Sequence, residues 1–213
     1  MAEQAAPYPA TLDIDYPERK LNKLTSFFRI FTAIPIWIIL ALIVGISFQS
    51  NKGAYQSGWH YQYGMTGILV LPALLMIVFR QKYPKWWFDW NLWLSRFSMR
   101  VSAYLALMRD EYPSTDEEQA VHLNLVYPDV KANLNRWLPL VKWFLAIPHY
   151  IILVFLGIAA VVCIIIAWFA ILFTGNYPKD LFNFVLGVLR WSLRVEAYSM
   201  LMLTDKYPPF ALS

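Results

Sequence analysis

Charge is scarce in this 213-residue chain. Only 15% of its residues are Asp, Glu, Lys or Arg, and 59% are apolar. An average soluble domain carries about 25% charged and roughly 45–50% apolar residues, so the composition argues against an ordinary water-soluble fold. Cysteine is nearly absent. Cys163 stands alone inside an apolar run, which excludes an intrachain disulfide and a cysteine metal site and reads as an inert packed or lipid-facing thiol. Catalytic signatures are missing too. There is no G-x-S-x-G elbow, no H-E-x-x-H and no Walker loop, so hydrolase, zinc-protease and P-loop chemistries lack their motifs. The three histidines, His60, His122 and His149, are far apart in sequence; no metal site and no cofactor is expected. The pI near 9.1 comes without a dense basic tract, so nucleic acid is not an expected partner. Residues 1–24 lack the apolar core of a signal peptide, and insertion is expected to begin at the first internal apolar segment.

Aromatic residues are abundant instead, at 17%, with 10 Trp and 13 Tyr. Trp and Tyr gather at the two water interfaces of a bilayer, so a membrane protein is expected. Its apolar stretches are residues 27–48, 64–79 and the long run 138–175. A helical crossing takes roughly 20 residues. The long run reads as a hairpin turning near Gly157, with one tilted span or a re-entrant loop as the alternatives. With four segments, only 49–63 lies on the far side, and that loop holds Lys52 and no acid. The positive-inside rule then places both termini in the cytoplasm of a multi-pass inner-membrane protein. A single span in 138–175 would export Lys179, Arg190, Arg194 and Lys206, against that asymmetry.

The two halves of the chain match in order. "LDIDYP" (12–17) answers "LNLVYP" (123–128), "FRIFTAIPIW" (28–37) answers "VKWFLAIPHY" (141–150), and "FRQKYPKWWFDW" (79–90) answers "FTGNYPKDLFNF" (173–184). "RFSMRVSAYLALMRDEYP" (96–113) answers "RWSLRVEAYSMLMLTDKYP" (190–208). Short alternation ending in Tyr-Pro predicts a strand, and Pro35 and Pro148 predict kinks. The expected fold is an all-α membrane protein with minor β. Its two tandem repeats span 1–113 and 121–213, joined by an acidic linker at 114–120. Each repeat is read as a short strand, a proline-kinked transmembrane hairpin and a long amphipathic interfacial helix. Both copies insert in the same sense, which sets a pseudo-twofold axis along the membrane normal.

On the long helices, Arg96, Arg100 and Tyr104 form one stripe, and Arg190, Arg194 and Tyr198 form its equivalent. One reading has these arginines meeting anionic headgroups, where a guanidinium fork grips phosphate. The other pairs them internally with Asp110, Asp205 or Glu196. His149 follows a proline in an apolar run, where an ionisable side chain is a site candidate; the bland alternative is a neutral ring donating to the carbonyl that Pro148 frees. Glu196 is the one carboxylate placed to handle protons, with a surface or ion-paired glutamate as its alternative.

Ala146-Ile147-Pro148-His149, Phe173-Thr174-Gly175, Tyr177-Pro178, Arg190-Trp191, Arg194-Val195, Ala197-Tyr198, Thr204-Asp205 and Tyr207-Pro208-Pro209-Phe210 carry a resemblance. The second half resembles the bacterial membrane-protein family called domain of unknown function 4389. The first half is a diverged copy, with Ile36 for His149, Arg80-Gln81 for Thr174-Gly175 and Ser114 for Pro209. The resemblance implies a multispan bacterial membrane protein and brings no catalytic residues. The functional expectation is a non-enzymatic scaffold, accessory subunit or lipid-organising protein, with anionic lipids, other inner-membrane proteins or itself as partners. A small transporter or channel for a lipid or small solute between the repeats is the alternative, and a lipid-acting enzyme dependent on His149 is the third option.

Overall fold

The computed structural model describes residues 8–36, 38 and 72–212. The chain is mainly helical, with one small sheet. In order it forms β1 (Ala10–Ile14), α1 (Lys23–Thr32), a π-helical turn (Met76–Arg80), α2 (Lys85–Leu105), β2 (Val121–Leu125), α3 (Val130–Asn133), α4 (Lys142–Leu145), α5 (Ile147–Thr174) and α6 (Lys179–Ser199). Both Tyr-Pro stretches do form strands, which pair antiparallel with Leu12 opposite Leu123. Alternation decides which face is buried. Ala10, Leu12, Ile14, Val121, Leu123 and Leu125 point inward, while Thr11, Asp13, His122 and Asn124 face solvent.

Leu12 and Leu123 are matching residues of the two halves, so the centre of the sheet lies where the halves meet. The sheet does not keep the halves apart. β1 packs on α6, and β2 packs on α2. Each half lends its strand to the other half's long helix, so residues 1–113 and 121–213 interlock. Their tyrosines repeat the exchange: Tyr16 Oη donates to the Tyr177 carbonyl and Tyr127 Oη to the Tyr83 carbonyl.

The kink expected at Pro148 is seen as an interruption of the helical run at Ala146, between α4 and α5, with Pro148 in the first turn of α5, where a residue without an N–H is tolerated. One sequence expectation needs correction. Residues 147–174 do not turn at Gly157. They form one 28-residue helix, about 42 Å long at 1.5 Å per residue. Gly157 is an ordinary position within it, with open space where a Cβ would stand. This is the one helix among the described residues long and apolar enough to cross a membrane, with an 18-residue stretch of mean hydropathy 3.1. The corresponding residues of the first half, and the loop at 49–63 with Lys52 and His60, lie outside the described residues.

Helix ends are matched between the halves. Gln81 and Gly175 both take the left-handed conformation that ends a helix, at φ 48° and 79°. Leu107 and Met202 do the same after α2 and α6, at φ 63° and 56°. A left-handed L-residue costs about 1–2 kcal/mol, and glycine escapes that cost. Gln81→Gly should therefore raise the melting temperature of the detergent-solubilised protein, by about 1 kcal/mol of stability, and Gly175→Ala should lower it. An unchanged or reduced melting temperature for Gln81→Gly would show that the position is not strained.

Candidate functional site

The arginine stripes face the protein itself. Arg190 Nε donates to the Leu12 carbonyl at 2.8 Å and its Nη2 to Asp13 Oδ1 at 2.7 Å. Arg96 repeats this on the other strand, with Nε to the Leu123 carbonyl at 3.0 Å and Nη2 to Asn124 Oδ1 at 3.2 Å. Arg100 is buried and donates to the Ser114 carbonyl at 2.8 Å. Arg194 is also buried and reaches the Ala211 carbonyl at 3.3 Å. Of the two readings of the stripes, the structure realises internal contacts, but with strand and tail carbonyls in place of Asp110, Asp205 or Glu196. A lone arginine on an amphipathic helix carries no record of which backbone oxygen it will meet, so sequence spacing missed these partners.

The acids near the Tyr-Pro stops belong to other cations. Arg29 is buried and forms an ion pair with Asp110, and it also donates to the Tyr104 and Arg109 carbonyls, both at 2.9 Å. Lys142, fully buried, pairs with Asp205 at 2.8 Å and donates to the Thr204 carbonyl at 2.7 Å. Burial pushes the Lys142 ammonium below its usual range, and the Asp205 carboxylate pulls it part of the way back. Asp110 accepts from the Asn22 N–H and Asp205 from the Asn135 N–H. Tyr104 and Tyr198 cover the cations with their rings, at 4.5 Å from Arg29 and 5.2 Å from Lys142. The signal was present in the sequence as one cation four residues before each Ala-Ile-Pro.

His149 is completely buried, stacked on Phe210 at 4.1 Å between ring centres. Trp191 Nε1 donates to its Nδ1 at 3.0 Å. The ring is thus an acceptor for an indole, not a donor to the carbonyl freed by Pro148. An accepting Nδ1 carries no proton, so the proton of the neutral ring belongs to Nε2, which has no partner among the described residues. Tyr207 closes the cluster with its ring 4.8 Å away. The C-terminal segment is drawn onto α6 by these contacts. At Gly187 a Cβ would stand 2.7 Å from the Leu212 carbonyl oxygen, so only glycine admits the segment this closely. In the first half Ile36 and Phe97 occupy the places of His149 and Trp191 and pack without a hydrogen bond.

Residues 136–211 match the family described as domain of unknown function (DUF4389). No curated protein and no solved structure matches the chain. Within the DUF4389 stretch Lys142 pairs with Asp205, His149 packs with Trp191 and Phe210, and Arg194 donates to the Ala211 carbonyl. These residues tie α4, α5 and α6 to the C-terminal segment.

His122 faces solvent, 3.3 Å from Asp15. No group of His, Cys, Asp and Glu suited to a metal occurs among the described residues. An open cleft of about 790 Å3 lies between residues 15–21 and 109–111, with mixed charge from Asp15, Glu18, Arg19, Lys20 and Arg109. Glu196 is half-buried on α6, and burial raises its carboxyl above the ordinary 4.5.

Two expectations follow from these contacts. Arg190→Lys and Arg96→Lys keep the charge but lose the fork that reaches a carbonyl and a side chain together. Each should lower stability in lipid-free detergent by about 1.5–3 kcal/mol, read as a fall in melting temperature; no fall would mean the strand contacts carry no weight. Glu196 holds its proton more tightly in the fold than in the unfolded chain. Stability therefore declines as pH rises from 4.5 through the raised folded value. Glu196→Gln should remove that decline and melt higher at neutral pH, whereas parallel pH profiles for the two proteins would refute the assignment.

Proposed function

We propose that this chain is a non-enzymatic inner-membrane protein, a scaffold or accessory subunit that gathers anionic lipid, built from two copies of one unit. The observation that carries the membrane reading is the bare side of α5. Ile151, Val154, Phe155, Ile158, Val161 and Ile165 are all more than half exposed to the surroundings, in a helix with an 18-residue stretch of mean hydropathy 3.1. Burying one such side chain gains about 1.5–3 kcal/mol, so a face of this kind is stable only against lipid or protein. The non-catalytic reading is supported by the lock around His149, whose ring is enclosed by Trp191, Tyr207 and Phe210.

The matched left-handed positions, strand clamps and ion pairs support the duplication. Both termini are assigned to the cytoplasm, and any crossing segments to the apolar stretches of the first half. Headgroup contact falls to basic residues at the rim, because Arg96, Arg100, Arg190 and Arg194 already bond within the protein. Lys20 and Lys23 stand at the C-terminal end of α5, where Lys23 Nζ donates one of its protons to the Phe173 carbonyl.

Flotation with vesicles tests this. The protein should float with lipid after alkaline washing and prefer vesicles containing phosphatidylglycerol over neutral ones. Each of Lys20→Gln and Lys23→Gln should weaken that preference roughly fivefold, from about 1 kcal/mol per basic group at an anionic surface. Equal binding to neutral and anionic vesicles would refute the lipid-gathering role. Recovery in the aqueous fraction would refute membrane seating altogether.

A further inference from the structure

The order of layers in the fold restricts how α5 sits in a membrane. α6 returns beside α5 along its length. At one end the two are joined by residues 175–178. At the other, Tyr150 Oη lies 2.7 Å from Ser199 Oγ, and His149 takes its bond from Trp191. β1 runs along α6 in turn: Tyr16 reaches the Tyr177 carbonyl, Leu12 meets Arg190 midway, and Tyr8 Oη reaches the Arg194 carbonyl at 3.3 Å. Strand, α6 and α5 are therefore three stacked layers, with α6 between the other two. The outer surface of the first layer is polar, with the Asp13 and Asp15 side chains 66% and 58% exposed and His122 46% exposed. The outer surface of the third is bare hydrocarbon.

An upright α5 would carry the other two layers into the bilayer with it. The hydrocarbon slab is about 30 Å thick, and the sheet lies beside the middle of α6. Asp13, Asp15 and His122 would then face lipid, where ionisable side chains are strongly disfavoured. The two-stranded sheet would also present its open edges to hydrocarbon, where unpaired backbone groups are not tolerated.

We propose that Ile147–Thr174 lies flat along the membrane, its bare side sunk in one leaflet and its whole length on the cytoplasmic face, so that the polar sheet on the far side of α6 stays in water. The occupant of this surface is lipid. The exposed stripe holds no charged residue, aromatic side chains stand at its N-terminal end, Trp137 and Trp143 among them, and lysines stand at its C-terminal end. Interfacial Trp and Lys are the side chains that bridge acyl chains and headgroups. The flat placement also resolves a conflict in the charges. One continuous helix crossing the bilayer would put Lys179, Arg190, Arg194 and Lys206 outside; lying flat, it keeps them all inside. An interfacial helix normally supplies its own polar face. Here α6 and the sheet supply it.

This inference rests on the membrane seating proposed above, and the test separates the two. In a Cys163→Ser background, Asn176→Cys and Lys206→Cys place single thiols on exposed positions near the two ends of α5. Both should react with a membrane-impermeant maleimide in inverted vesicles, and neither in right-side-out vesicles. Separately, spin labels at Ile147→Cys, Ile158→Cys and Phe169→Cys, three helical turns apart on one face, should report equal depth in phosphatidylglycerol–phosphatidylethanolamine vesicles. Labelling of the two ends from opposite sides, or a deepest point at position 158 with shallow flanks, overturns the flat placement and leaves membrane seating intact. Spin labels that sense no lipid and couple to one another identify a second copy as the occupant and overturn the lipid assignment. Failure to float with vesicles overturns both.

Discussion

The exchange of strands between the two halves, fixed by Arg96 and Arg190, is the constraint on which the rest of the structure depends. Two five-residue strands alone would not hold together in water. Each survives because its inner face is buried against a long helix and an arginine on that helix grips its backbone. The exchange means that neither half completes its core alone. It also sets the layering, because strands seated on α2 and α6 leave the other side of α6 for α5.

The second half adds a lock that the first half lacks. Where Ile36 and Phe97 simply pack, His149 and Trp191 share a buried hydrogen bond, and Phe210 folds over the pair. A buried polar pair is costly when incomplete and specific when complete. Gly187 serves the same end, since its missing side chain is the space through which the C-terminal segment passes. The region matching DUF4389 is thus the half in which the terminal segment is tied to the helices. That placement makes its distinctive residues elements of assembly, which is the sense in which the proposed function reads them.

Bare hydrocarbon on one side and a polar sheet on the other make this an amphipathic molecule, although α5 itself has almost no polar face. Helix α6 is the reason. It is apolar enough to be buried between α5 and β1, and its two arginines are met by strand and tail carbonyls. In the flat placement proposed above, the rod at the membrane surface is α5, one layer below the arginine-bearing helix that the sequence suggested for that place.

The sequence by itself determined the short strands before each Tyr-Pro, the long helices, the correspondence of residues between the halves and the apolar character of 147–174. These depend on local periodicity and composition, which the chain carries wherever it folds. Only the tertiary structure decided which oxygen each arginine meets, that Pro148 begins a helix, that Gly157 makes no turn, and that His149 accepts from Trp191. The partners in these contacts are far apart along the chain, as with Arg190 and Leu12, and local pattern holds no record of which distant atom will fill a given gap. A glycine in an apolar run marks a turn only when the packing around it favours one, and Gly157 lies in open space within an unbroken helix.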